Sequence, residues 1–164
     1  DLIYLLGVPR NDISSSEYLV SVQGVRKSPA PFFDLEEEMK LQDCMKQLIR
    51  NNYISSAHDV SDGGLFVTLC EMGMPNQLGF DIVTDSEIRR DAFLFGESQS
   101  RIAVTVVEDY EEEFLDFVGA SGVQVMLLGH VTKGRITIDE ENFGFIDDYK
   151  TIYQDSIGMA MSHG

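Results

Sequence analysis

Tryptophan is absent from this 164-residue sequence, and cysteine, histidine and proline are scarce, at two, three and four residues. Cys44 and Cys70 form no Cys-x-x-Cys pair and the histidines are scattered, which excludes a disulfide framework and a structural zinc site. Both cysteines fall in helical apolar patterns and are expected to be buried, reduced thiols. Lysine and arginine total 12 against 28 acidic residues, a formal charge of −16. That is the wrong sign for a chain that must neutralise the phosphates of a nucleic acid, so no nucleic-acid partner is expected. The balance describes a solvated acidic surface and leaves room for a divalent cation. No apolar run approaches the roughly 20 residues that cross a bilayer, so no membrane partner is expected. The opening DLIYLLGVPR has no basic lead-in and no small-residue cleavage site, as a signal peptide would. It also has no initiator methionine. A cytoplasmic fragment of a larger protein is therefore expected.

What is present suffices for one domain. Hydrophobic residues make up 43% of the chain, and ten Phe with six Tyr give a core its bulk. Leu2 to Gly7 reads as a buried strand, a short apolar run stopped by glycine. Residues 8–33 are polar and turn-rich, with SEYLVSVQG as a short element; Pro29 and Pro31 make an extended connector that reads as a linker. Asp34 and Glu37 suggest a capping box for a helix reaching Asn51-Asn52. Beyond it the pattern gives a strand over 53–57, a helix over 65–72 stopped by Gly73 and Pro75, and a strand over 79–83. A helix over 87–95, a strand over 101–107, a helix over 109–118, strands over 124–131 and 135–138, and a helix over 147–161 complete it. The organisation expected is residues 1–33 as strand and connector, and 34–164 as the remainder of one domain. The fold class is α+β, a mixed β-sheet layered with helices. Met72, Met74, Met126, Met159 and Met161 are expected as core filler rather than a soft-metal site.

Two stretches concentrate chemistry. In Ala57-His58-Asp59-Val60-Ser61-Asp62-Gly63-Gly64-Leu65 a strand runs through a glycine pair into a helix. Adjacent glycines let a backbone approach a ligand, and the free N–H groups of a helix start favour an anion. Asp59 and Asp62 oppose a bare phosphate unless Mg²⁺ bridges them; alternatively Asp62 caps the helix. His58 reads as a hydrogen-bonded structural residue. In Phe95-Gly96-Glu97-Ser98-Gln99-Ser100-Arg101, a dense polar turn precedes a strand, and Arg101 could pair bidentately with a carboxylate or phosphate. Its bland reading is a polar turn with Arg101 tied to a local acid. Neither a Walker loop nor a nucleophile elbow occurs.

Together these stretches carry a resemblance. DLIYLLG, SEYL at 16–19, DLEEE at 34–38, AHDVSDGGL, FGESQSR, GHVT at 129–132 and FGFIDDYKTIY follow the order of the aminoimidazole-ribonucleotide-synthetase-like superfamily, in its C-terminal domain. Within it the chain most resembles the phosphoribosylformylglycinamidine synthase family, and FGESQSR and SEYL match its second repeat. Ile13-Ser14-Ser15-Ser16 departs from the Gly-Gly that the family carries before Ser-Glu.

The resemblance implies a domain of an ATP- and Mg²⁺-dependent carbon–nitrogen ligase of purine biosynthesis. Such a ligase phosphorylates the amide oxygen of a formylglycinamide ribonucleotide and lets glutamine-derived ammonia displace the phosphate. It implies as partners an N-terminal ATP-binding domain, the other repeat, a glutamine amidotransferase domain or subunit, and the phosphorylated ribonucleotide. Ser61, Asp62, Gly63, Gly64, Glu97, Ser98, Gln99 and Arg101 are the implied substrate or phosphate contacts, with Asp59 and Asp62 the implied Mg²⁺ ligands. The domain alone is expected to be inactive. The alternatives are a sister enzyme (aminoimidazole ribonucleotide synthetase, selenophosphate synthetase or thiamine phosphate kinase) and a non-catalytic structural repeat.

Overall fold

The apolar run LIYLL lies at the middle of the structure because both of its faces are covered. A computed structural model describes residues 1–162, without the side chains of Ile157 and Met159. In chain order it forms β1 (Leu2–Leu6), α1 (Leu35–Arg50), β2 (Ser56–Asp59), α2 (Gly64–Gly73), β3 (Gly79–Ile82) and α3 (Arg90–Phe95). There follow β4 (Ile102–Val106), α4 (Glu111–Ser121), β5 (Val125–Thr132), β6 (Arg135–Ile138), β7 (Glu141–Phe145) and α5 (Ile146–Ser162). The strands make one seven-stranded sheet in the order β2-β4-β1-β5-β3-β6-β7. All neighbours are antiparallel except β3 and β6, which run parallel, so the sheet is mixed as the fold class requires.

Successive side chains of a strand point to opposite faces, and β1 shows why the whole run is apolar. Ile3 and Leu5 join Leu65 and Leu69 of α2, Phe93 and Leu94 of α3, and Ile146 of α5 on one face. Tyr4 and Leu6 join Leu41, Cys44 and Leu48 of α1 with Phe114 and Val118 of α4 on the other. Each buried Leu, Ile or Phe side chain contributes roughly 1.5–3 kcal/mol, so both helical layers are held by the sheet rather than by each other.

Several elements differ from the sequence pattern. The second strand starts at Ser56 and includes His58 and Asp59, and the third helix is shortened to Arg90–Phe95. Strand β7 is an addition. Asp34 caps α1, its Oδ1 accepting the Glu36 and Glu37 amides at 2.9 and 3.0 Å, but no capping box closes. The Glu37 carboxylate instead receives Arg10 Nη2, at 2.7 and 2.6 Å to its two oxygens. Met72, Met74 and Met126 do pack on the core, whereas Met161 is 80% exposed; the Met159 side chain, like residues 163–164 at the end of the expected domain, lies outside the described residues.

The proline stretch does not part β1 from the rest of the domain. It is the return leg of a loop over residues 12–32, tied at its neck. Asp12 Oδ2 accepts the Phe32 amide at 2.9 Å, and Ser15 Oγ donates to the Pro29 carbonyl at 2.8 Å. Ser15 takes φ 52°, in the left-handed region. Among the described residues no helix is long and apolar enough to cross a membrane.

Candidate functional site

The two polar motifs meet because β2 and β4 pair. Asp59 lies opposite Ile102 in the ladder, and one step further the Val60 amide donates to the Arg101 carbonyl at 2.9 Å. The loop leaving β2 therefore runs beside the turn that feeds β4. Between them opens a cavity of about 240 Å³, lined by Asp59, Ser61, Asp62, Glu97, Gln99 and Arg101. Ser100 shares the wall, and Glu38 and Leu41 of α1 with Pro31 of the 12–32 loop close the remaining side. Gly63, Gly64 and Ser98 do not line it.

The glycine pair acts on the protein's own backbone. Gly63 and Gly64 take φ 84° and 72°, the left-handed region that glycine enters without strain. A Cβ on Gly64 would sit 2.7 Å from the Leu94 carbonyl oxygen and from Phe95 Cα, so this residue lets α2 start against the end of α3. Its amide donates to the Ser61 carbonyl at 3.0 Å. The capping role expected of Asp62 is corrected: the N-cap of α2 is Gly63, and no side chain of its own loop bonds there. With both glycines left-handed, the carboxylate that meets the loop comes from across the cavity. Glu97 Oε1 accepts the Gly63 amide at 2.8 Å.

Arg101 is the buried cation of the turn, 2% exposed. Its Nε donates to the Ser98 carbonyl at 3.0 Å and its Nη2 to the Gly96 carbonyl at 2.7 Å. The expected tie to a local acid is thus a clamp on two backbone carbonyls. Burial pulls its pKa down to about 10, against the opposing pull of Asp12 and Glu97. Burial pushes the Asp12 carboxyl upward, but hydrogen bonds from the Phe32 and Ser14 amides and the nearby Arg101 outweigh it and hold the group below its ordinary value. The Ser98 hydroxyl is 1% exposed and lacks a hydrogen-bond partner among the described residues. Ser100 Oγ donates to Glu38 Oε2 at 2.7 Å, which ties the turn to α1.

Four carboxylates (Glu38, Asp59, Asp62 and Glu97) face this cavity against the one guanidinium of Arg101. Such a wall repels a bare phosphate and suits one accompanied by a hard cation, which takes carboxylate oxygens alongside phosphate oxygens and water. Asp59 and Asp62 have the donor chemistry for Mg²⁺. Among the described residues, however, no group of three or more His, Cys, Asp or Glu gathers to hold a metal. These two residues could supply only part of a coordination shell. His58 stands outside the cavity, its Nε2 3.3 Å from Glu71 Oε2 and its Nδ1 2.7 Å from the Asp59 carbonyl oxygen.

Glu38, Ser100 and Pro31 were not anticipated as part of a site. Glu38 sits in the acidic first turn of α1, where the helix dipole alone explains a carboxylate, and only the tertiary fold brings it to Ser100. A larger cavity, about 420 Å³, opens at the opposite end of the sheet beneath the C-terminal end of α2. Its floor includes Leu69 and Phe80, its hydroxyls Ser56 and Thr105 bond each other at 2.7 Å, and it contains no residue of either polar motif.

Residues 1–139 match the AIR synthase related protein, C-terminal domain family. The chain belongs to that family. The match takes in both motifs and the sheet through β6. A phosphoribosylformylglycinamidine synthase subunit PurL of Carboxydothermus hydrogenoformans is 35% identical over 170 residues, covering 98% of this chain and 23% of that protein. The Alkaliphilus metalliredigens subunit of the same name is 36% identical over 131 residues, covering 80% of this chain and 18% of its own length. The AIR synthase related domain thus spans less than a quarter of the curated relatives it matches. In three dimensions it resembles T. maritima PurL complexed with FGAR, with a TM-score of 0.75 at 15% identity over 91% of this chain and 27% of that one. It also resembles a thiamine-monophosphate kinase from Stenotrophomonas maltophilia, with a TM-score of 0.59 at 17% identity over 87% of this chain and 51% of the other. Likeness at those identities establishes the fold.

Proposed function

We propose that this chain is the C-terminal domain of a phosphoribosylformylglycinamidine synthase, and that its 240 Å³ cavity forms one wall of a ribonucleotide or nucleotide cleft in that ligase. The observation carrying the reading is that AHDVSDGGL and FGESQSR, the motifs of the resemblance, meet in one cavity through the pairing of β2 with β4. The curated relatives bearing that name support it, the Carboxydothermus hydrogenoformans subunit being 35% identical over 98% of this chain. T. maritima PurL complexed with ATP, and the same protein complexed with ADP, support a nucleotide as the partner.

In this reading Ser61 and Gln99 would hydrogen-bond the phosphorylated ligand from the two walls, and Asp59 and Asp62 would hold Mg²⁺. Mg²⁺ supplies charge neutralisation for the phosphoryl group. The chain's own residues orient and exclude water: Leu41, Val60 and Ile102 make the apolar side of the wall. Gly63, Gly64, Glu97, Ser98 and Arg101 shape the loops that carry these contacts. An N-terminal ATP-binding domain, the other repeat and a glutamine amidotransferase domain or subunit complete the cytoplasmic ligase, and the domain alone is inactive. The chain is the C-terminal domain of its second repeat.

A second reading, a scaffold with a decayed site, draws on one observation: donor groups of Arg101 and one oxygen of Glu97 are already spent on the protein's own backbone. Equilibrium binding of formylglycinamide ribonucleotide and ATP with Mg²⁺ to the full-length ligase separates the two. Asp62→Asn and Gln99→Ala weaken binding by about tenfold or more if the cavity is a cleft, each lost contact being worth roughly 1–2 kcal/mol. Unchanged binding of both ligands establishes the scaffold instead.

A further inference from the structure

Residues 12–32 leave the body of the domain and return to it as a loop, bonded within itself through Ser15 to Ser28 and Ser16 to Ile13 but with few anchors on the rest of the domain. Its only helical element is one π-helical turn, Tyr18–Val22, and Val20, Val22 and Val25 are 38%, 64% and 42% exposed. A segment that buries so little apolar surface depends on particular bonds to stay ordered. Its contacts with the rest of the domain converge on the end of α3 and the turn between α3 and β4. The Glu17 amide donates to Glu97 Oε1 at 2.8 Å, Tyr18 stacks on Phe95 at 5.0 Å between ring centres and 8° between planes, and the Gln99 amide donates to the Phe32 carbonyl at 3.4 Å.

Glu97 stands out among these contacts because its Oε1 is shared. That one oxygen accepts from Glu17 in the loop and from Gly63 at the start of α2, both at 2.8 Å. Hydrogen bonds to a carboxylate are about twice as strong as neutral ones, so this atom joins three segments at the rim of the cavity. Its other oxygen has no hydrogen bond among the described residues, and the residue itself lines the cavity. Pro31, on the loop's return leg, lines it from the opposite side.

We infer that residues 12–32 form a lid on the cavity and that Glu97 is its latch, a positioning residue that acts through the Glu17 and Gly63 amides. The inference rests on these bonds and stands whether or not the cavity takes a ribonucleotide. It changes the role that the resemblance gives Glu97: the carboxylate sets the shape of the site rather than holding the ligand.

Amide hydrogen exchange of the chain, with tryptic cleavage after the exposed Arg26 and Lys27, tests it. Glu97→Gln keeps a carbonyl oxygen that accepts both amides, and exchange at Glu17 and Gly63 stays within about threefold of the wild type. Glu97→Ala removes the acceptor, and both amides exchange faster together, by about tenfold or more, with faster cleavage after Arg26 and Lys27. Unchanged exchange in Glu97→Ala overturns the latch. A Glu97→Gln variant as open as Glu97→Ala overturns it too, since the charge and not the acceptor would then matter. Should Glu97→Ala fail to fold, the wild type decides. A shared latch gives the two amides one opening free energy in denaturant-dependent exchange, and separate openings contradict it.

Discussion

Val60 and Arg101 are joined by a single ladder bond, 2.9 Å from amide to carbonyl, at the point where β2 ends and β4 begins. That bond aligns the loop after β2 with the turn before β4, so it sets the distance between Asp59, Ser61 and Asp62 on one wall and Glu97 and Gln99 on the other. The shape of the candidate site therefore depends on residues that hold the backbone of its two walls.

Arg101 is the first of these. Its guanidinium holds the Gly96 and Ser98 carbonyls while nearly all its surface is buried. Arg101→Lys loses the planar fork that reaches both, and Arg101→Ala strands both acceptors. Chemical denaturation should show a loss of about 2–4 kcal/mol for Arg101→Ala and only partial recovery in Arg101→Lys.

Two glycines give opposite outcomes. Gly64→Ala puts a Cβ at 2.7 Å from α3 backbone atoms, at φ 72°. It should cost at least about 2 kcal/mol. Gly119 lies within α4, and a Cβ added there would meet nothing within 4 Å, so Gly119→Ala should gain about 0.5–1 kcal/mol in the same unfolding measurement.

The neck of the lid is acid-sensitive. Asp12 is held below its ordinary value of 3.8, so the stability it contributes is present above that value and is lost as the pH falls through its lower native one. Wild type should exceed Asp12→Asn by about 1–2 kcal/mol at neutral pH, and the gap should close on acidification below about pH 4. Thermal unfolding across pH 2–7, with both proteins, reads this directly.

Cys70 sets an alkaline limit. Burial, with the Glu71 carboxylate beside it, pushes the thiol up to about 12 from 9.0. The native protein keeps a proton that the unfolded chain gives up, so this contribution is complete below pH 9 and is lost as the pH rises above it. Burial also raises Cys44, partly offset by Ser121. Neither thiol should react with a maleimide at pH 8 until the protein unfolds, and Cys70→Ala should flatten the fall of stability above pH 9.

The sequence pattern reached the elements whose signals are local. LIYLL is apolar because β1 is covered on both faces, and Gly73 with Pro75 ends α2 where the chain turns. β2 was displaced because an edge strand of exposed residues, SAHD, has no alternation to read. β7 was missed because its hairpin turns through Asp139 and Glu140 at φ 50° and 66°, without the glycine or asparagine that marks such turns. Thr84 compensates from a distance, donating its amide and hydroxyl to the Asp139 carboxylate at 2.7 and 2.8 Å. Read residue by residue the candidate site was legible only as two motifs; the resemblance joined them in one cleft, and the structure gives the reason in the place of β2 beside β4. The pairing of Glu97 with Gly63 is long-range in the same way, and local capping chemistry pointed to Asp62 instead.

The most direct test of the proposed function is steady-state formation of the amidine from formylglycinamide ribonucleotide, ATP, Mg²⁺ and ammonia by the full-length protein. Asp62→Asn and Gln99→Ala alter the motif cavity, and Asn76→Ala, on the larger cavity at the other end of the sheet, serves as the control. The expected result is a KM for the ribonucleotide or ATP raised about tenfold or more by the first two, with Asn76→Ala unchanged. Wild-type kinetics in both motif variants contradict the assignment of this cavity to the reaction.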